Sequence, residues 1–184
     1  MQDAIAAPRI GRVVRRPLSR RPESALVRAA QRGSVEAVDE LFRRHWPSAH
    51  RAAFLVVHDS AAAEDIAQEA FLAALRALDR FDRRRPLGPW LHRIVVNRAI
   101  DWTRARRLRA EVELGDYLAA PAPPEPNGDA FSRIGDLPAE HRAVVVLRYV
   151  LEYTPGEIAE LLDLPRGTVN SRLRRGLDRM KRDA

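Results

Sequence analysis

Apolar residues recur along this chain at helical spacing in two blocks, with a proline-rich stretch between them. In the first block, from Glu23 to about Arg109, Ala25, Leu26, Ala29 and Ala30 lead in. Val35, Val38, Leu41 and Phe42 then form a stripe along one helix face. Pro47 is expected to separate that helix from a second one over Ser48 to His58, because an internal proline removes an N–H and crowds the preceding turn. Ser60 is positioned to cap a third helix, with Glu64 and Asp65 near its positive end. In this helix Ile66, Ala70, Phe71, Ala74, Leu75 and Leu78 fall on one apolar face. Asp82 to Gly88 breaks the pattern, and a long helix is predicted from about Pro89 to Arg109.

Residues 110–128 end in Pro121-Ala-Pro-Pro-Glu-Pro-Asn-Gly, a composition that favours an extended, polyproline-like linker. At about 3.3 Å per residue its fully extended limit is roughly 60 Å. Beyond it Pro138 suits the first turn of a helix reaching about Leu151. Thr154-Pro-Gly-Glu157 has the form of a capping box with proline at the first helical position. A last helix is predicted from Pro165 or Arg166 to about Arg182, and Val144-Val-Val146, the longest strand-like run, is flanked by helix on both sides. Residues 1–22 carry Pro8, Pro17 and Pro22 without apolar periodicity, and read as a disordered basic arm. The expectation is an all-α protein of two small helical domains, 23–109 and 129–184, joined by the linker 110–128.

Charge sharpens this layout. Of the 32 basic residues only Lys181 is a lysine, a bias that, with abundant alanine and proline, fits the codon usage of a GC-rich genome. Codon usage does not explain placement, however. Residues 81–109 hold nine arginines against Asp82 and Asp101, and residues 164–184 hold seven basic groups against two acidic ones. Between them residues 110–163 carry eleven acidic groups against three basic. A basic stripe on a helix is the electrostatic footprint of nucleic-acid binding, whereas a merely solvated face mixes both signs.

The stretch Glu157-Ile-Ala-Glu-Leu-Leu-Asp-Leu-Pro-Arg-Gly-Thr-Val-Asn-Ser-Arg-Leu reads as a helix-turn-helix. Ala159 is small where two helices cross; Ile158, Leu161 and Leu162 pack the first helix inward, and Val169 and Leu173 pack the second against it. Arg166, Thr168, Asn170, Ser171, Arg174 and Arg175 are left on or near the outer face, which suits a DNA major groove. Asp163 stands at the turn where glycine is usual, and aspartate tolerates the left-handed conformation moderately well.

In the first block, Ala63-Glu-Asp-Ile-Ala-Gln-Glu-Ala-Phe-Leu-Ala-Ala-Leu, then Phe81, then Pro89-Trp-Leu-His-Arg-Ile-Val-Val-Asn-Arg-Ala-Ile-Asp resembles region 2 of extracytoplasmic-function (ECF) sigma factors. Leu137-Pro to Lys181 is similar to their region 4. The resemblance spans about residues 24–109 and 129–182, and two motif sets in the right order make it specific. It implies that Asp65, Gln68 and Glu69 dock on core RNA polymerase. It implies that Asp82 to Gly88, with Arg83 and Arg84, forms the loop holding a base flipped from the −10 promoter element. Trp90, Arg93, Asn97, Arg98 and Asp101 resemble the −10-reading helix, with Arg104 and the arginines at 106, 107 and 109 following phosphates. Trp90 and Trp102 are candidate stacking platforms. The last helix is implied to read a duplex −35 element; Asn170 replaces the lysine or arginine often found before Ser171. The partners so implied are core polymerase and promoter DNA, with room for an anti-sigma protein, in the cytoplasm.

Little points to catalysis. There is no phosphate-cradling glycine loop, nucleophile elbow or HExxH, and the histidines at 45, 50, 58, 92 and 141 lack ligand spacing. The absence of cysteine excludes disulfides and thiolate metal sites. No cofactor or metal is expected, and no apolar run or N-terminal h-region suggests membrane insertion or secretion. Two other readings stay open on the residues alone: a regulator that binds duplex operators without polymerase, and a helical scaffold that binds RNA or anionic partners without sequence preference.

Overall fold

The computed structural model describes residues 21–114 and 130–182, and all regular structure among them is helical. The first domain consists of α1 (Glu23–Ala30), α2 (Val35–Val57), α3 (Ser60–Ala77) with a 3-10 turn over Leu78–Arg80, and α4 (Leu87–Leu114). The second consists of α5 (Ala130–Gly135), α6 (Ala139–Tyr149), α7 (Pro155–Leu162) and α8 (Arg166–Arg182). None of these helices is long and apolar enough to cross a membrane. The arm 1–22, apart from its last two residues, and the proline-rich part of the linker lie outside the described residues.

Pro47 does not end a helix. It lies on the exposed side of one continuous α2, because both flanks are buried: Ala37 and Leu41 before it, Ala49, Ala52 and Ala53 after it. The Ser48 hydroxyl donates to the His45 carbonyl at 3.0 Å, adding a local bond beside the missing N–H. The helix ends at His58, whose backbone takes the left-handed conformation (φ 54°). The cap of α3 is Asp59 rather than Ser60: its carboxylate accepts from the Ala62 N–H at 3.0 Å.

Helix α4 begins at Leu87, two residues before the expected start, because Glu23 reaches it from α1. The Glu23 carboxylate accepts from the Leu87 N–H at 2.7 Å and contacts His45 Nε2 at 2.8 Å. The bond with His45 and the Leu87 N–H hold the Glu23 carboxyl below its ordinary range, against the opposing effect of burial. At its far end α4 runs to Leu114, into the segment read as linker; no glycine or proline occurs between Trp90 and Gly115 to stop it.

The two domains share one core. Val144, Val145 and Val146 of α6 are buried in the same apolar cluster as Ala52, Val56, Ile66, Phe71 and Val95 of the first domain. Helix α6 lies against α2, and α7 against α4. A smaller cluster joins α1 to α2 through Leu26, Val27 and Leu41, with Leu78 and Leu87 beside them. Arg142, also buried, ties the domains: its guanidinium donates to the Val56 carbonyl in the last turn of α2 and to the carbonyls of Gly135 and Leu137. Burial brings its pKa down to about 10, so it stays charged at neutral pH, where a cation at a helix C-terminus is stabilising.

Candidate nucleic-acid and polymerase interfaces

Helix α7 starts on a complete capping box. The Thr154 N–H donates to Glu157 at 2.7 Å, and the Glu157 N–H donates back to the Thr154 hydroxyl at 3.3 Å. The helix stops at Asp163, which is left-handed (φ 54°) as the turn requires, and the Leu164 N–H returns to the Ala159 carbonyl at 2.9 Å. Ile158, Leu161, Val169 and Leu173 are buried as the helix-turn-helix reading asks, whereas Leu162 and Ala159 are only half-buried. Behind α8, Gly176 faces α6 so closely that a Cβ there would sit 3.1 Å from Val145.

That packing turns Arg166, Asn170, Arg174 and Arg175 outward. Thr168 and Ser171 are half-buried, and the Ser171 hydroxyl donates within its own helix to the Thr168 carbonyl at 2.9 Å. Ser171 therefore has to give up a local bond before that hydrogen can reach DNA.

The loop after α3 is ordered by Asp82. Its carboxylate accepts from the Arg84 N–H at 3.0 Å and from Arg84 Nε at 3.1 Å, and those bonds hold the Asp82 carboxyl below its ordinary range. Arg83, Arg84 and Arg85 are exposed. Trp90 is half-buried and packs on Phe81, ring centroids 4.7 Å apart, so it stands at the edge of the core. Arg93 is exposed, Asn97 half-buried.

Farther along α4, Arg98, Arg104 and Arg106 are engaged. Arg98 pairs with Glu69 of α3 at 2.7 Å, and Arg106 with Asp59 at 3.1 Å. Arg104 donates from Nε and Nη2 to Glu140 of α6 at 2.9 and 2.8 Å, with Asp101 at 3.7 Å. Trp102 carries the Arg106 guanidinium over its ring at 5.1 Å, which occupies one stacking face.

On α3, Asp65, Gln68 and Glu69 are exposed and lie opposite buried Ile66, Ala70 and Phe71. Leu75, assigned by periodicity to the core face, is 38% exposed, and Leu72 is 52% exposed. With Phe42 of α2, whose ring packs on Trp46 and Phe71, they add exposed apolar side chains near the polar trio of Asp65, Gln68 and Glu69. Their exposure is set by tertiary packing that periodicity does not contain.

The family model described as Sigma-70 region 2 matches residues 41–109, and that described as Sigma-70, region 4 matches residues 132–180. The ECF RNA polymerase sigma factor SigM of Mycobacterium tuberculosis is 34% identical over 165 residues, which cover 88% of this chain and 84% of SigM. The chain belongs to the ECF RNA polymerase sigma factors. SigW of Bacillus subtilis, another ECF sigma factor, is 29% identical over 174 residues, covering 85% of this chain and 93% of that protein. The solved structure of CnrH in complex with the cytosolic domain of CnrY aligns with a TM-score of 0.66 at 30% identity, over 86% of this chain and 94% of CnrH.

In this sigma factor the region 2 match takes in most of α2, all of α3 and α4 as far as Arg109, and the region 4 match takes in α6, α7 and most of α8. Sequence reasoning missed the residues that join them. His92 is buried between Tyr153 (Nδ1 to the hydroxyl, 2.8 Å) and Ser48 (Nε2 to the hydroxyl, 3.0 Å). Burial, with His45 nearby, lowers its pKa to about 4, and burial pushes the Tyr153 phenol up to about 12. Both groups are thus neutral near pH 7, and each imidazole nitrogen meets a hydroxyl that can give or take a proton.

Proposed function

We propose that this sigma factor docks on core RNA polymerase through Asp65, Gln68 and Glu69, helped by the apolar surface of Phe42, Leu72 and Leu75. In this reading it binds the opened −10 strand with the loop at Arg83 and Arg84 and with Trp90, Arg93, Asn97, Arg98, Asp101 and Arg104. It reads the duplex −35 element with Arg166, Thr168, Asn170, Ser171, Arg174 and Arg175. The observation that carries the reading is the outward row of arginines on α8, presented by a capped, buried helix-turn-helix. Family membership supplies the rest. The domain limits 23–109 and 129–184 are kept as functional units, with the arm 1–22 as an electrostatic accessory. Polymerase performs the chemistry, and this chain contributes promoter choice and strand opening without catalysis of its own. The site of action is the bacterial cytoplasm, on the nucleoid during initiation, and an anti-sigma protein is a third partner this reading admits.

Run-off transcription with core polymerase from a GC-rich bacterium, and this chain as the sole initiation factor, tests the proposal. Discrete promoter-directed transcripts are expected. Duplex binding without such transcripts sinks it in favour of a polymerase-independent regulator.

A further inference from the structure

We infer that in the free factor residues 1–20 fold back on the α2–α3 face of their own chain, so that core polymerase has to displace them to dock. The displacement, though not the fold-back, rests on the docking reading above. Val38 and Phe42 of α2, Phe71 and Leu75 of α3 and Leu87 of α4 line one shallow apolar groove. Phe42 and Leu75 are exposed along it, and Val35 and Leu72, on the same two helices, are more exposed still. Large apolar side chains left in water on packed helices mark a surface that something covers.

Charge narrows the occupant. On α3, Asp65, Glu69, Leu72 and Leu75 follow one another at three- and four-residue spacing, which sets them on successive turns of one side. Asp39 stands in the same way between Val35 and Phe42 on α2. Residues 35–79 hold eight acidic groups against four arginines. Asp39 and Glu69 already hold Arg43 and Arg98, but Asp65 and Asp79, both exposed, make no ion pair among the described residues. The matching occupant carries apolar side chains and cations at short intervals. Residues 1–20 have that composition: five arginines stand against Asp3, and Arg9-Ile10 and Arg12-Val13-Val14-Arg15 set apolar groups directly beside positive ones.

The segment is also rooted at the groove. Arg44 of α2 donates to the Arg21 carbonyl at 3.1 Å, and two residues on Glu23 accepts from the N–H of Leu87, itself a groove residue. From Arg21 back to Val14 the chain spans at most roughly 25 Å. Along α2, Val38 lies only about 9 Å from Arg44 at the helical rise. A segment tethered so near acts at an effective concentration of about a millimolar, so a contact too weak to hold a free peptide holds this one. If it covers the face about four-fifths of the time, polymerase binds about fivefold more weakly than to a chain without the contact.

The test uses the full chain, which has no cysteine, so an introduced thiol is unique. A nitroxide on Ala7→Cys should broaden the amide signals of Leu72 and Leu75 and leave Asn170 of α8 sharp, relative to the reduced label. Ile10→Ser with Val13→Ser and Val14→Ser keeps every charge and should abolish the broadening. It should also raise affinity for core polymerase about fivefold. Arg12→Gln with Arg15→Gln should lessen the broadening as well. Sharp α3 signals in the labelled wild type, or broadening that survives both sets of substitutions, overturns the fold-back. So does broadening of an isotope-labelled chain by nitroxide on a separate, unlabelled chain, because the occupant is then a second copy. Loss of broadening without a gain in core affinity overturns the displacement. Asp65→Arg with Glu69→Arg checks the docking reading separately: if it leaves core affinity unchanged while the fold-back is seen, docking lies elsewhere and the intramolecular contact stands.

Discussion

The arginines of α4 and those of α8 serve the same reading but stand in different states. On α8, Arg166, Arg174 and Arg175 are exposed, and none of them makes an ion pair among the described residues. On α4, Arg98, Arg104 and Arg106 each hold a carboxylate, from Glu69, Glu140 and Asp59. A phosphate meeting α8 displaces water and counterions. A phosphate meeting Arg98, Arg104 or Arg106 must also displace an acidic side chain, and two of those carboxylates belong to surfaces with other work. Glu69 lies in the proposed polymerase face and Glu140 in the domain interface. Three arginines of the proposed −10 surface are therefore conditional on other contacts, whereas Arg166, Arg174 and Arg175 of the proposed −35 surface are not held by a carboxylate.

The comparison fails if α8 depends on its neighbours as much as α4 does. Its support is the buried Ile158 of α7. Ile158→Ala should destabilise the fold by about 4 kcal/mol, the cost of an isoleucine-sized deletion in a tight core. Urea melts read the stability, and duplex −35 binding should fall with the folded fraction and no further.

Acid should unsettle the α4 side through His92. Its folded pKa of about 4 lies below the ordinary 6.5, so its contribution is fully present above about pH 6.5 and is lost as pH falls toward 4. At about 1.4 kcal/mol per pH unit, the loss is on the order of 3 kcal/mol. His92→Asn should remove most of that dependence when melts at pH 7 and pH 4 are compared with wild type. A wild type and variant that lose stability in parallel would place the acid sensitivity in the carboxylates.

Arg175→Ala sharpens the α8 side. A base-reading arginine should cost roughly 1–3 kcal/mol, concentrated at one base pair of a single-substitution panel. Uniform weakening, with a salt slope flatter by about one unit, would move Arg175 to the phosphates. The smallest effect belongs to the Glu69–Arg98 pair, which is partly exposed. A double-mutant cycle with Glu69→Ala and Arg98→Ala should give a coupling of roughly 0.2–1 kcal/mol in the free factor. Repeated on −10 strand binding by holoenzyme, the coupling should vanish if docking has already separated the pair.

What was legible in the sequence was mostly local. The Thr154–Glu157 box, the left-handed Asp163 and the outward residues of α8 depend on neighbours within a turn or two, and the structure places them as the spacing predicts. Pro47 does not break α2, because propensity is a local quantity and burial on both flanks outweighs it. The cap that Glu23 gives Leu87 joins residues 64 positions apart, a pairing no spacing rule reveals. Exposure on α8 could be read from a helical wheel, but the partners of the α4 arginines could not, since each comes from another element. The polymerase and −10 assignments came from the family resemblance, whereas the outward set on α8 came from the helix-turn-helix spacing itself.

Arg142 bears on how this sequence can drift. Arginine is abundant in this chain, and at an exposed position without a bidentate or stacked partner a lysine carries the same charge. At 142 a flat, forked cation reaches three carbonyls from two helices and a turn, where a single ammonium on a thinner stem cannot span the same oxygens. Arg142 should therefore resist replacement by lysine. A relative that has lost it should carry a second change at the end of α2 or in the turn before α6.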